Sequence, residues 1–146
     1  MSELMNEKKY VLMSIKPIYA ELIKDGEKTV ELRRVLPKIK DGDVIVVYET
    51  TPIQRITMTC TVKGILSCEP CELWRDAGHQ ACVDYESFEE YFQGKDIANG
   101  IQLDNIKTLS KPLKLSEVIG IRRAPQSYCY LRDKEVEQLL QALNDT

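Results

Sequence analysis

A period of two that keeps returning between Tyr10 and Ile65 limits most what this chain can fold into. In YVLMSIK, Val11, Met13 and Ile15 alternate with Tyr10, Leu12, Ser14 and Lys16. In KTVELRRV, Val30 and Leu32 share one face while Thr29, Glu31 and Arg33 share the other. In RITMTCTVKGI, Ile56, Met58, Cys60 and Val62 alternate with threonines. Such alternation is the signature of half-buried strands. VIVVY is continuously apolar and reads as a central strand covered on both faces. Between the first two runs, KPIYAELIKDG reads as a short helix. Pro17 suits its first turn, Ile18, Leu22 and Ile23 form its apolar stripe, and Gly26 suits the left-handed position past its end.

Beyond Ile65 the pattern breaks up. SCEPCELWRDAG and YESFEEYFQGK read as short helical or irregular pieces, with Ser87 and Glu90 as a capping box and Trp74 as a core plug. GIQLDNI and LSEVIGIRR read as further strands. Asp133 is placed to cap KEVEQLLQAL, whose Val136, Leu139, Leu140 and Leu143 form a stripe. Five or six short strands, with too little helix to cover both faces of an open sheet, predict a mainly β (α+β) fold: a small pseudo-β-barrel with peripheral helices. With 146 residues the expectation is a frayed tail over Met1 to Lys9 and a single domain over residues 10–146. No apolar run reaches the length of a membrane span and no signal-peptide pattern opens the chain, so five cysteines read as reduced thiols in the cytoplasm.

The net charge of −3 argues against indiscriminate binding to nucleic acid, but the charges are segregated. Lys8 to Lys40 holds nine Lys/Arg against four acids, and Ile106 to Arg132 holds six against one. Leu66 to Asp104 reverses this, with nine acids against two bases. A fold that brings the two basic segments together presents a polyanion-binding face despite the acidic total. A fold that disperses them leaves an ordinary solvated surface.

The segments SIKP (Ser14 to Pro17), GEKTVELR (Gly26 to Arg33), Gly42-Asp43, ELW, YFQGK and PQSYCYL together resemble the ASCH domain family, a branch of the PUA-like superfamily. The resemblance runs from Tyr10 to about Leu143. It implies a pseudo-barrel with a cleft beside the first helix, and RNA or a modified nucleobase as ligand. The groups expected to line that cleft are Lys16, Lys28, Thr29, Glu31 and Arg33, with Gln126, Ser127 and Tyr128 contributing from the later segment. Arg34, Arg122 and Arg123 would extend an RNA surface. A carboxylate accepts from the exocyclic amine of cytosine or adenine, Arg and Lys take phosphate, and tyrosines stack on bases. Alternatively, Glu31 and Arg33 merely pair on an exposed strand, an interaction contributing below about 1 kcal/mol.

Some ASCH proteins resembling this chain remove the acetyl group from acetylcytidine with a lysine, a threonine nucleophile and a separate glutamate. Lys28 matches that lysine and Arg33 the arginine of the same element, but Glu31 stands where the nucleophile would be. A carboxylate serves as a general base and cannot replace a hydroxyl nucleophile. The expected function is therefore binding of RNA or a modified nucleotide, regulatory in character. An amidohydrolase acting on an acylated cytidine, or a nuclease, using Lys28 and Glu31 is the enzymatic alternative. A protein-interaction module docking through the acidic middle is the third. No cofactor is expected. Cys68, Cys71, His79 and Cys82 form a soft-ligand set suited to zinc, but its spacing differs from the common fingers.

Overall fold

Among the described residues, six strands form one sheet. The computed structural model describes residues 7–118, 120–121 and 123–144. The strands are β1 (Tyr10–Ile15), β2 (Val30–Arg33), β3 (Val44–Glu49), β4 (Arg55–Cys68), β5 (Ala98–Leu113) and β6 (Tyr128–Tyr130). The helices are α1 (Pro17–Lys24), α2 (Pro70–Ala81), α3 (Tyr85–Tyr91) and α4 (Asp133–Asn144). The sheet order is β2-β5-β4-β3-β1-β6; β1 and β3 pair in parallel, and every other neighbouring pair is antiparallel. The result is an α+β half-barrel, the class the alternating runs predict.

The curl of the sheet comes from its two longest strands. β4 and β5 carry 14 and 16 residues, and their pairing shifts register between Ile56 and Met58, Thr59 and Thr61, and Val62 and Gly64. Each shift inserts backbone on one side of the ladder, which bends the strand and increases its twist. Repeated along one antiparallel pair, these bends carry β2 round until it faces β1 and β6. The sheet edges β2 and β6 do not pair with each other, so the barrel has an open seam.

Val11, Met13, Ile45, Val47, Met58 and Ile101 fill the interior, while Leu12, Val46 and Ile56 on the outer face pack with Leu139 of α4. The continuous run in β3 is thus explained by cover on both faces. A third cluster joins Val30 and Leu32 of β2 to Leu73, Ala77, Phe88 and Phe92 of α2 and α3. Trp74 is half-buried there, its ring 5.2 Å from Tyr85 and 5.3 Å from Phe88.

Several local expectations are corrected. Ile18 is 67% exposed, because α1 turns Ala20 and Ile23 inward instead. Asp84, not Ser87, caps α3: its carboxylate accepts from the Ser87 N–H at 2.7 Å. In LSEVIGIRR, Leu115–Glu117 form a 3-10 turn and the other described residues form no strand, while Ile119 and Arg122 lie outside the described residues; the sixth strand is the short YCY run. Asp133 lies within the first turn of α4, where Glu135 accepts from the Arg132 N–H at 2.7 Å. Lys9 is held, its N–H donating to Asp43 Oδ1 at 3.0 Å. Met1 to Asn6 of the expected tail lie outside the described residues.

Candidate functional site

The site forms at the open seam, from a strand whose polar face points inward. Gly26, at φ 82°, ends α1 and reverses the chain, and Lys28 follows before β2 begins. Alternation along β2 then sends Val30 and Leu32 toward the α2–α3 cluster and Glu31 and Arg33 toward the seam. Thr29 departs from the expected set. It is exposed and sits ahead of β2, with its N–H bonded to Gln80 O at 2.9 Å.

Arg33 is the clasp of the seam. Its Nη2 donates to Glu31 Oε2 at 2.9 Å and to Ser14 O at 2.9 Å, and Nη1 donates to Ser127 Oγ at 3.1 Å. One planar guanidinium thereby ties edge strand β2 to β1 and to the residue preceding edge strand β6. Ser14 and Ser127 are themselves joined, the Ser14 N–H reaching Ser127 O at 3.0 Å. The guanidinium Nε is buried with no partner among the described residues.

Lys28 lies beneath this pair. It is only 3% exposed, and its Nζ donates to Ala81 O at 2.6 Å and stands 3.6 Å from Glu31 Oε1. The Tyr19 ring lies under the ammonium at 5.0 Å, close enough for a cation–π contact. Burial pulls the Lys28 pKa below the ordinary lysine value, and the Glu31 carboxylate opposes that shift. Two cations and one carboxylate, each under a tenth exposed, thus share one buried set. The exposed-strand alternative, with a weak solvated pair, is overturned by this burial.

Above the set opens a cleft of about 260 Å3. Glu31 and Arg33 lie in its wall, Tyr19 and Tyr91 supply aromatic surface, the buried Phe88 also lines it, and Lys16 stands exposed at its rim. Tyr91 donates its hydroxyl to Leu32 O at 3.2 Å, and burial pushes its pKa up, so it stays a donor.

The remaining expected residues scatter. Lys28 is behind the cleft wall and absent from its lining, so it reaches the cleft only through Glu31. Ser127 touches the site through Arg33, whereas Gln126 is exposed and outside the lining. Tyr128 packs on the interior cluster. Arg34 is exposed and donates to Tyr91 O at 2.6 Å and Gln93 O at 3.1 Å, bracing the end of α3. Arg123 is exposed, and Arg122 lies outside the described residues. The soft-ligand set does not converge: among the described residues no three His, Cys, Asp or Glu side chains gather to hold a metal. Cys82 Sγ instead donates to Glu27 O at 3.3 Å. Sequence reasoning missed Tyr19, Ser14, Phe88 and Tyr91. Tyr19 was the findable one, being one helical turn from Lys16 and so on the same face.

Half-barrel, seam cleft and buried Lys-Glu-Arg set define a small α+β domain with a PUA-like pseudo-barrel fold. The chain belongs to the ASCH domain family, whose model matches residues 13–122. An ASCH domain-containing ribonuclease from Zymomonas mobilis is 28% identical over 137 residues, covering 92% of each chain. The crystal structure of ASCH from Zymomonas mobilis superposes with TM-score 0.86 at 27% identity, covering 92% of this chain and 96% of that one. The N-terminal domain of Staphylothermus marinus McrB shares the fold at 11% identity, with TM-score 0.58 over 94% of this chain and 96% of that one. No helix among the described residues is long and apolar enough to cross a membrane.

Proposed function

We propose that the protein binds single-stranded RNA and seats one nucleotide in the seam cleft. The observation that carries this reading is the cleft wall, where a buried carboxylate and guanidinium stand side by side in a cleft also lined by aromatic rings. Its volume of about 260 Å3 lies just under the range of ordinary ligand pockets, roughly 300–1,000 Å3. That suits one base with its ribose and is too small for a duplex. Lys28 and Arg33 outweigh Glu31 by one charge, and Lys16 adds another at the rim, so an anionic ligand is favoured. Buried ion pairs contribute little to stability over apolar packing, so closure of the seam alone does not call for this set.

Strand cleavage is the second reading, favoured by the relative named a ribonuclease. In that reaction Glu31 takes the proton of the ribose 2′-hydroxyl as its oxygen attacks the adjacent phosphorus. Arg33 stabilises the charge that builds on the phosphoryl oxygens. The bond to the 5′-oxygen breaks, that oxygen takes a proton from solvent, and a 2′,3′-cyclic phosphate remains. Lys28 acts as a positioning residue, since it touches Glu31 and not the cleft.

Anisotropy titration of labelled single-stranded RNA tests binding. Affinity is expected to fall with salt and to drop at least tenfold in Arg33→Gln, with Lys16→Ala as a surface variant that leaves the clasp intact. Binding insensitive to salt and to both variants would remove the cleft model, and a melting temperature moved only by a protein partner would favour an interaction module. Cleavage is expected to vanish in Glu31→Gln with binding retained. Acetate release from N4-acetylcytidine would instead move the activity to the amidohydrolase class.

A further inference from the structure

A second concavity of about 860 Å3 lies at the other end of β1 from the cleft. Lys8, Lys9, Lys38 and Lys40 line it, against two acidic residues, and the exposed Tyr130 and Leu140 add apolar surface. Tyr130 is 46% exposed, and its orientation is fixed from two sides. Its hydroxyl accepts from the Lys38 N–H at 2.8 Å, and Lys9 Nζ stands 5.9 Å from its ring centroid. Lys9 Nζ also donates to Lys38 O at 3.0 Å, so the two lysine-bearing segments and the ring are one braced unit. Among the described residues, the Lys8 and Lys38 ammonium groups take part in no ion pair. Free cations around a fixed, exposed aromatic ring are the elements that hold a single-stranded nucleic acid: phosphates on the lysines, a base on the ring.

The furrow is connected to the cleft by β6. At one end of that strand Ser127 meets Arg33, and at the other the Leu131 N–H bonds to Tyr10 O at the furrow's margin. Tyr128 and Tyr130 share one face of the strand, with ring centroids 5.9 Å apart. β6 is a sheet edge, open along its outer side. From Ser14 at the cleft to Tyr10 at the furrow is four residues of β1, about 13 Å at the strand rise, within reach of a few nucleotides.

We propose that this furrow is a second RNA-binding site, taking the sugar-phosphate backbone of a single strand whose one nucleotide sits in the cleft. This rests on the RNA reading of the cleft, and it adds that affinity depends on strand length. The test compares a dinucleotide with a ten-nucleotide RNA on the wild-type chain, on Lys8→Gln/Lys38→Gln, and on the cleft variant Arg33→Gln. Both furrow lysines are exposed, so folding is expected to be unchanged. The furrow variant is expected to bind the ten-mer roughly tenfold more weakly, with the salt slope reduced by about 1.4 for two lost phosphate contacts. Its affinity for the dinucleotide is expected to be unchanged. Equal ten-mer affinity and slope in wild type and furrow variant would overturn the furrow while leaving the cleft reading in place. Loss of ten-mer binding in the furrow variant alone, with Arg33→Gln unaffected, would overturn the cleft reading and, with it, the proposal that one strand spans both sites. Oligoglutamate of matched charge binding the wild type as tightly as RNA would overturn the RNA assignment and leave an acidic-peptide surface.

Discussion

Replacing Glu31 by Gln keeps the shape of the side chain and removes the only anion of the buried set. Lys28 and Arg33 would then face each other across a neutral amide, with Lys28 3% and Arg33 8% exposed. Breaking a buried ion pair from one side costs about 3–5 kcal/mol. Arg33 keeps its bonds to Ser14 O and Ser127 Oγ, so the lower end, about 3 kcal/mol at pH 7, is expected. The loss should depend on pH in a defined direction. Burial already places the folded-state pKa of Lys28 below its unfolded value, and Glu31 holds it up. In the variant it falls further. Between the folded and unfolded values the unfolded chain binds the extra proton, so stability rises with pH across that window. The window opens at lower pH in the variant than in the wild type. The penalty therefore shrinks as pH rises through that window, by at most about 1.4 kcal/mol per pH unit. Urea denaturation at several pH values measures it. Adding Lys28→Met should recover at least half of the penalty at pH 7, because the unpaired ammonium is gone. A penalty under about 1 kcal/mol, or one that nowhere shrinks as pH rises, would refute the buried, mutually dependent set.

Three further outcomes follow from the same structure. Lys16→Ala, at an exposed position on the cleft rim, should change stability by less than about 0.5 kcal/mol and lower the salt slope of single-stranded RNA binding by about 0.7. Gly100→Ala should destabilise by about 1–3 kcal/mol in thermal denaturation, since an added Cβ would lie 2.9 Å from Val30 Cγ1 and 3.3 Å from Leu73 Cδ1. Thiol titration should label the exposed Cys71 rapidly in the folded protein, while Cys60, 1% exposed with its pKa pushed up to about 12 by burial, should react only on unfolding.

What the amino-acid order determined by itself was local. Alternation in YVLMSIK, KTVELRRV and RITMTCTVKGI marks strands because one face of each is buried, and Pro17 and Gly26 bound the first helix through their backbone preferences. The same logic set Glu31 and Arg33 on one face of β2. It failed at LSEVIGIRR, where apolar residues pack against the outer-face cluster without strand pairing, and at YCY, three residues too few to show a period. Only the tertiary structure decided which way the β2 face points. The register shifts between β4 and β5 curl the sheet until β2 meets β1 and the start of β6. Arg33 then finds Ser14 and Ser127, the latter 94 residues distant along the chain. Those contacts turn two charged residues on a strand into a buried clasp and put Lys28 behind the cleft, not in it. The physical reason is that a strand's alternation specifies two faces, whereas curvature, a property of the whole sheet, specifies which face is enclosed.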